Sequence, residues 1–421
     1  MKKEDIFSDD FLDLIRKDFY YVDYSPNGIK RIFLDSVSGS LRLKKMVDAV
    51  SREAASYAQV SRIDPASKLL KELEEKFKED VNLLLGAKSG HILKAQSGTH
   101  AMYCLVDAVL SDAKKGSNIV TSNLEHPAVY ESTWYFSKKY NIERRVATFD
   151  KNSGRVKNEN ILNLVDKNTR LLIMIHASNV TGAINNIEYI IKEARKINPD
   201  IYLIIDGIQY TPYGLIDVDR INADAYVISG YKLFCKKNSG FAHMSERLAK
   251  LPHWNLREKP LTNWSLGSED ETTYAGFSAV VDYIDWFGSK FTNSKDKRKK
   301  IITAMDKIRS HNIGLLNLVL NGDERVKGLR DMAHISLYGI DDDINTRAGI
   351  LSFKVKNQDS TKIATKYFKE GGFSVSTRIK NVYGRHILEV LNVDDLVRIS
   401  VYPYNTPKEI LKFLSFTESL S

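Results

Sequence analysis

Residues 201–207, IYLIIDG, and residues 224–230, DAYVISG, are short apolar runs that each end in a polar residue and a glycine. Runs that are apolar at nearly every position are typical of strands buried on both faces of a parallel sheet. A third run, RLLIMIHAS, precedes them at residues 170–178, and the helical pattern NIEYIIKEARKI follows it at residues 186–197. This alternation predicts an α/β fold with a mostly parallel sheet between helices.

The alternation extends from about residue 66 to residue 330, with further strand candidates NIVTSN at 118–123 and RRVATF at 144–149. Beyond residue 330, shorter strand candidates and two helical patterns predict a smaller α+β domain. We therefore predict three parts: an N-terminal helical segment over residues 1–25 that packs on the small domain, a large domain over residues 26–290, and a small C-terminal domain over residues 291–421. The boundary is expected near residues 285–310.

Length, charge and cysteine content narrow the class of protein. The chain has 421 residues, a formal net charge of +9 and two cysteines, Cys104 and Cys235, which are far apart. Two distant cysteines exclude a disulfide framework, and they make a metal site improbable, so no metal is expected. The N-terminus lacks the apolar core of a secretory signal, and no apolar run is long enough to cross a bilayer. These observations predict a cytoplasmic protein with no membrane partner.

Six of the basic residues lie between Lys290 and Lys300, within the stretch SKFTNSKDKRKK. A solvated helix start explains such a run, and no zinc-finger spacing or aromatic RNA-binding signature accompanies it. We therefore expect no nucleic-acid partner.

Ligands bind beyond the carboxyl ends of the strands in an open parallel sheet, so the residues that end each apolar run are candidates for a site. Asp206 closes one run, and Ser229 and Lys232 follow the next. A buried carboxylate needs a cationic partner or several donors. Adjacent strand ends would place this carboxylate and this amine in one crevice, where a salt bridge between Asp206 and Lys232 is the simplest arrangement.

Other run ends carry polar residues of different types. Ser97-Gly98-Thr99-His100 opens an apolar helix and suits either a phosphate or an ordinary helix cap. Further candidates at run ends are His126, Asn179 and Gln209. An acidic group, an amine able to form an imine and a glycine turn suited to phosphate together match the requirements of pyridoxal phosphate. A pyridoxal phosphate site explains the polar residues at the ends of these apolar runs better than a salt bridge between Asp206 and Lys232 does.

Seven motifs occur in a fixed order: SGTHA, EHPAVYES, HASNVTGAIN, DGIQ, SGYKLF, LGSEDETTYAGFSAVVDY and VRISVYPYNTPKEI. In this order they resemble the class V aminotransferases, and within them the cysteine desulfurase and selenocysteine lyase branch. The resemblance extends from IFLDSVSG to the C-terminus. It implies a pyridoxal-phosphate-dependent transferase of fold type I and a homodimer whose active site is completed by the partner subunit.

The resemblance also implies roles around the cofactor ring. By position, Lys232 would form the Schiff base with pyridoxal phosphate, and Asp206 would pair with the pyridinium nitrogen. Gln209 would donate to the phenolic oxygen. His126 would stack on the ring and assist proton transfer, and Asn179 would lie near the ring and the substrate carboxylate.

Further positions would hold the phosphate and the substrate. The residues matched to the phosphate site are Gly98, Thr99, His100, Ser229 and Tyr231. Ser268 matches a position whose hydroxyl reaches the phosphate bound by the partner subunit. Arg398 would clamp the α-carboxylate of the amino-acid substrate, a bidentate task that suits arginine.

Two positions near the phosphate depart from the family pattern. Tyr231 stands where the family commonly has histidine, and a tyrosine donates one hydrogen bond but does not become cationic near neutral pH. His100 occupies a position often held by threonine. Our hypothesis is that an imidazole has moved to the other side of the phosphate.

The region before Arg398 also departs from the pattern, because desulfurases carry a persulfide-forming cysteine there and residues 371–400 contain none. Cys104 and Cys235 are predicted to be packing residues. The same region holds Arg378, Asn381, Tyr383, Arg385 and His386. Either one or more of these read a substrate side chain, especially an acidic one, or the loop is solvent-exposed.

The sequence therefore predicts a pyridoxal-phosphate enzyme acting on an α-amino acid. Transamination and a cysteine-independent lyase reaction remain open, and epimerisation is a third outcome for the same fold. A non-catalytic binding protein that retains the fold is the alternative from another class.

Overall fold

The structure, a computed structural model, describes residues 6–56, 65–341 and 343–421. Residues 1–5 of the predicted N-terminal segment lie outside the described residues. In chain order the strands are β1 (Ile32–Phe33), β2 (His91–Ala95), β3 (Asn118–Ser122), β4 (Glu143–Ala147), β5 (Thr169–Ile175), β6 (Tyr202–Asp206), β7 (Ala225–Ser229), β8 (Gly240–Met244), β9 (Ile335–Tyr338), β10 (Ile350–Val355), β11 (Phe373–Ser374), β12 (Ser376–Ile379) and β13 (Asp395–Ser400).

The α-helices alternate with these strands through the first part of the chain. They are α1 (Asp9–Arg16), α2 (Lys44–Ala54), α3 (Pro65–Leu85), α4 (Gly98–Ser111), α5 (Pro127–Tyr140), α6 (Asn158–Leu162), α7 (Ile187–Ile197), α8 (Val218–Ile221), α9 (Glu246–Ala249), α10 (Thr272–Gly288), α11 (Lys297–Asn321), α12 (Ser360–Lys369), α13 (Arg385–Leu391) and α14 (Pro407–Glu418).

The large sheet has the strand order β2-β8-β7-β6-β5-β3-β4. Strands β4, β3, β5, β6 and β7 run parallel to one another, and β8 runs antiparallel to both of its neighbours. The predicted mostly parallel α/β sheet is confirmed. Strand β8 was not predicted from the sequence, because its five residues contain neither a run of β-branched residues nor a strict alternation of apolar and polar residues. Gly240 opens it because a Cβ there would lie 2.2 Å from the carbonyl carbon of Ser97.

Both faces of this sheet are covered, which explains the continuous apolar runs. In β5, Leu171 and Ile173 pack into a core shared with α4 and α5. The alternate residues Leu172 and Met174 belong to the core on the other face, which includes residues of α3, α7 and α10. Side chains alternate along a strand, so an apolar residue is needed at every position.

The second sheet lies in the C-terminal part of the chain and is antiparallel throughout, in the order β12-β13-β10-β9. The short strand β1 pairs in parallel with β11, next to this sheet.

At the N-terminal end, Arg16 donates hydrogen bonds to the carbonyl of Tyr404 and to Glu409, at 2.6 and 3.0 Å. The domain ranges 1–25, 26–290 and 291–421 stay a prediction.

The basic stretch lies at the start of α11. Lys297 contacts Asp80 and Asp282, and Lys300 contacts Asp285. Two of the six basic side chains of this stretch are therefore paired with acidic side chains of the same chain. Within the described ranges, none of the helices combines the length and the apolar character needed to cross a membrane.

Asp224 fixes the amino ends of β6 and β7, and its substitution is expected to destabilise the fold. This buried carboxylate accepts hydrogen bonds from Nε and Nη2 of Arg247 at 2.5 and 2.6 Å and from the backbone N–H of Leu203 at 3.0 Å. We predict that Asp224→Ala lowers the free energy of unfolding by about 3 kcal/mol, because the guanidinium of Arg247 and the N–H of Leu203 lose their acceptor. Urea unfolding followed by circular dichroism measures the change.

The matched control is Asp394→Ala, which removes an exposed carboxylate paired with Lys380. An exposed pair of this kind contributes less than about 1 kcal/mol. Equal effects of the two substitutions would contradict the role given to Asp224.

Candidate active site

The candidate site begins where β6 and β7 end. These strands are parallel neighbours, with Asp206 paired to Val227 in the register. Asp206 ends β6, and a single 3₁₀ turn over Gly230–Lys232 follows β7. The structure thus places the carboxylate and the amine at the same edge of the sheet, as the two apolar runs predicted.

The amine of Lys232 is buried in this crevice, with 7% of the residue exposed. Its Nζ donates to the carbonyl oxygen of Val37 and lies 4.7 Å from the centroid of the Tyr231 ring. Burial, followed by the nearby charges of Arg398 and Arg378, lowers the pKa of Lys232 to about 7. A substantial fraction of this amine is therefore neutral and nucleophilic near neutral pH.

Asp206 is buried at the same edge, and the structure shows no salt bridge between it and Lys232, both of which lie in the described part of the chain. One carboxylate oxygen accepts a hydrogen bond from the backbone N–H of Ile208 at 3.0 Å. Burial raises the pKa of Asp206 to about 6, and only weaker effects from Ile208 and Lys232 oppose it. This carboxylate would be stabilised by a cation close to it, which is what a pyridinium nitrogen offers.

Two amide side chains in the same region have polar atoms without partners. Nε2 of Gln209 and Oδ1 of Asn179 are buried and make no hydrogen bond within the described residues. An unpaired buried polar atom costs about 1–3 kcal/mol, and a ligand that pairs with these two atoms would remove that cost. Both lie at residues matched to the cofactor, and their chemistry fits it: a donor for a phenolic oxygen and an acceptor beside the ring.

The start of α4 has the geometry of an anion site. Ser97 caps this helix and accepts a hydrogen bond from the N–H of His100 at 3.1 Å. A Cβ at Gly98 would lie 2.2 Å from Cδ1 of Ile208 and 2.8 Å from Oγ of Ser229, so glycine lets the helix start approach the strand ends. Thr99 and His100 are exposed in the first turn. Free N–H groups at this end of a helix suit a phosphate.

His126 caps α5, and its Nδ1 accepts a hydrogen bond from the N–H of Ala128 at 3.1 Å. Burial, together with the positive charge of Lys232, lowers the pKa of His126 to about 3. The ring is therefore neutral, with its proton on Nε2, since Nδ1 is the hydrogen-bond acceptor. These properties fit the stacking role that the resemblance implies.

Arg398 is fully buried and held in one orientation. Its Nη1 donates to the carbonyl of Asn179 at 2.6 Å, Nη2 donates to Ser38 at 3.0 Å, and Nε donates to Ser376 at 3.2 Å. A carboxylate oxygen of Asp35 lies 3.8 Å from Nη2. The sequence reasoning did not single out Asp35, Ser38 or Ser376. The stretch DSVSGS, rich in small polar residues after the strand β1, was the available signal for the first two.

A further buried acid was missed at Glu125, which accepts a hydrogen bond from Oγ of Ser122. Burial raises the pKa of Glu125 well above its usual range, and nearby Asp206 adds to the shift. The argument used for Asp206, a carboxylate at the end of a buried strand, applied to Glu125 equally.

The polar loop before Arg398 divides into two groups. Asn381, Tyr383 and Arg385 are exposed. His386 instead donates from Nε2 to the carbonyl of Glu125 at 2.8 Å and stacks on Tyr130, and Arg378 is half-buried near the site. The roles of all five stay a prediction.

The hydrogen bonds of Lys232 and Arg398 involve neither the predicted site residue Ser268 nor the two predicted packing residues, Cys104 and Cys235. Ser268 is exposed and lines a surface cavity of about 690 Å³ with His100. Cys235 is buried in the core and Cys104 packs at the edge of another apolar cluster, as predicted. Burial raises the pKa of Cys104 to about 11 and that of Cys235 to about 12. Within the described ranges, no group of three or more acidic, His or Cys side chains is arranged to hold a metal ion.

The lowered pKa of Lys232 predicts a distinctive pH dependence of its reactivity. In cofactor-free protein, reductive alkylation of Lys232 by a small aldehyde should reach half of its maximal rate near pH 7, because only the neutral amine attacks. Ordinary lysines, with a pKa of about 10.4, should reach that point only in alkaline solution. Peptide mass spectrometry across a pH series measures each site separately, and an alkaline midpoint for Lys232 would contradict the burial argument.

Comparison with known proteins agrees with this geometry. The family model described as Aminotransferase class-V matches residues 32–413. A cysteine desulfurase from Escherichia coli O9:H4 (strain HS) is 25% identical over 423 residues, covering 95% of each chain. A cysteine desulfurase from Shigella flexneri is 24% identical and covers 96% of this chain and 97% of the relative.

Solved structures show the same fold. The apo structure of a cysteine desulfurase from Thermococcus onnurineus NA1 superposes with a TM-score of 0.80 at 18% identity, covering 97% of both chains. A cysteine desulfurase from Escherichia coli in its S-sulfonic acid form has a TM-score of 0.77 at 17% identity, covering 99% of both chains. The predicted fold type I is confirmed. Because the family model spans nearly the whole chain, this protein belongs to the class V aminotransferase family of pyridoxal-phosphate-dependent enzymes.

Proposed function

We propose that the protein binds pyridoxal phosphate at the carboxyl edge of its large sheet and uses it to transform an α-amino acid. The observation that carries this proposal is the buried amine of Lys232, with a pKa near 7, at the same strand edge as buried Asp206. The unpartnered polar atoms of Gln209 and Asn179 support it. Relatives named as cysteine desulfurases also support an amino acid as the substrate.

Pyridoxal phosphate would supply an aldehyde that condenses with amines and a ring that accepts the electron pair of a bond broken at Cα. Lys232 would hold the aldehyde covalently and, once released by the substrate amine, move a proton at its Nζ. Asp206 would stay ionised beside the positively charged ring nitrogen. His126, neutral and fixed by its hydrogen bond to Ala128, would lie against the ring face.

Arg398 would bind the α-carboxylate of the substrate. Its guanidinium is oriented by the carbonyl of Asn179 and the hydroxyls of Ser38 and Ser376, so little side-chain freedom is lost on binding. The carboxylate of partly exposed Asp35 lies 3.8 Å from Nη2, which is beyond hydrogen-bond distance. Fixing the carboxylate and the amine orients the substrate bonds relative to the ring plane.

The reaction we propose is transamination or a lyase reaction that uses no persulfide cysteine. Residues 371–400 contain no cysteine. Burial holds the thiols of Cys104 and Cys235 protonated, with pKa values of about 11 and 12, so neither is a ready nucleophile. Epimerisation by proton return to Cα uses the same residues and is the third outcome to test.

The proposed cofactor and reaction are tested together with purified protein. We expect added pyridoxal phosphate to give a yellow protein, and borohydride to fix it to Lys232 as shown by peptide mass spectrometry. A screen of amino acids then separates the outcomes: loss of the yellow form with release of an oxo acid indicates transamination, and release of a side-chain fragment indicates a lyase.

The control is Lys232→Ala, which should retain the fold and lose borohydride fixation. A wild-type protein that takes up no pyridoxal phosphate would overturn the proposal. A yellow protein that reacts with no amino acid would favour the non-catalytic alternative.

We also propose that the protein is a homodimer in which Ser268 reaches the phosphate bound by the partner subunit. Ser268 is exposed in a segment flanked by exposed apolar side chains, including Leu261, Leu266 and Trp254, the last with 71% of its surface accessible. Exposed apolar groups clustered in this way are typical of surfaces that a second chain covers.

Sedimentation at micromolar concentration is expected to give twice the chain mass of 47.9 kDa. Trp254→Asp should shift the protein toward monomer, because it places a charge in the apolar surface, whereas Tyr24→Asp, an exposed aromatic in another region, should not. A monomeric wild-type protein with tightly bound cofactor would contradict the dimer proposal.

A further inference from the structure

A second arginine projects from the same face of the small sheet as Arg398. Strands β12 and β13 are antiparallel, with Ser376 opposite Arg398 and Arg378 opposite Leu396. Residues two apart on a strand share a face, so Arg378 lies on the face of Ser376, whose hydroxyl contacts Arg398. The two arginines therefore occupy diagonal positions, with Cβ atoms about 7 Å apart.

The two guanidinium groups differ in their partners. All three nitrogens of Arg398 donate to protein groups. Nη1 of Arg378 donates to the carbonyl of its neighbour Thr377, at 3.2 Å, whereas its Nε is buried without a partner in the described residues. A guanidinium with an unpaired edge is ready to bind a planar anion.

The described charged groups around Arg378 include an acid that Arg378 shares with Arg398. The ionisable groups that interact with it are Lys232, His126, Arg398 and Asp35. Asp35 is the acidic member of this set, and it also lies 3.8 Å from Arg398. With the α-carboxylate of a substrate at Arg398, the buried Nε of Arg378 would still lack an acceptor among the described residues.

We propose that Arg378 binds a carboxylate on the substrate side chain, so that the enzyme acts on dicarboxylic amino acids of the aspartate and glutamate type. The inference rests on the proposed function, since it takes Arg398 as the site of the α-carboxylate. Two guanidinium groups on one sheet face, one fixed and one with a free edge, bind the two ends of such a substrate. A neutral side chain would leave the Nε of Arg378 unpaired, and this penalty supplies the selectivity.

Binding of unreactive analogues to the pyridoxal-phosphate-loaded protein tests this assignment without relying on turnover. Calorimetric titration compares the dicarboxylates succinate and glutarate, which differ in length, with the monocarboxylate butyrate. We expect at least one dicarboxylate to bind the wild-type protein tenfold or more tightly than butyrate. Arg378→Gln should weaken dicarboxylate binding about tenfold to a hundredfold, the effect of one charge-assisted contact, and leave butyrate unchanged.

The matched control is Arg385→Gln, which removes the same charge from an exposed position of the same segment. It should bind both classes like the wild type. If the glutamine variant fails to fold, Arg378→Lys replaces it, because lysine keeps the positive charge but lacks the paired N–H donors of a guanidinium. This variant should lose part of the preference for dicarboxylates over butyrate. Cofactor absorbance and circular dichroism report on folding.

The outcomes separate this inference from the proposed function. Equal affinity of the wild-type protein for butyrate and both dicarboxylates, or equal losses in Arg378→Gln and Arg385→Gln, would overturn the role of Arg378 while cofactor fixation at Lys232 stands. A wild-type protein that takes up no pyridoxal phosphate would overturn both.

Discussion

Burial of an amine and a carboxylate at adjacent strand ends is the constraint on which the rest of the structure depends. Lys232 and Asp206 lie at one edge of the sheet without pairing with each other. Burial lowers the pKa of Lys232 and raises that of Asp206, so that the neutral form of each is favoured. Burying two ionisable groups without partners costs free energy in the folded protein. It is favourable only where an added group supplies the missing partners, which supports the proposal that both residues bind a ligand.

The sequence predicted the strands that carry this pair because their burial on both faces leaves a local signature. The apolar runs at residues 170–178, 201–207 and 224–230 became β5, β6 and β7. By contrast, β8 was missed, since its pairing is decided by a close approach between Gly240 and Ser97 that no local pattern records. Periodicity reports burial, whereas the position of an antiparallel strand depends on contacts distant in sequence.

The same limit applies within the site. Lys232, Asp206 and Gln209 lie at or just after strand ends, and this position alone singled them out as candidates. Ser38 and Ser376, which orient Arg398, were not found, because serine in a polar turn has many uses and the relevant contact joins residues 38 and 398. The role of the polar loop could not be decided from the sequence for a comparable reason. Arg385 is exposed and Arg378 is half-buried, but the sequence does not distinguish two arginines of the same segment.

The contact of Val37 with Lys232 and of Ser38 with Arg398 has a consequence for how the protein is made. The turn that holds both groups lies near the start of the chain, and its backbone also binds Ser400 and the hydroxyl of Tyr404 near the end. During synthesis on a ribosome, the large sheet can form while this turn still lacks its C-terminal partners. Lys232 is then without the contact that its backbone makes with Tyr402, which forms only after β13 has been synthesised.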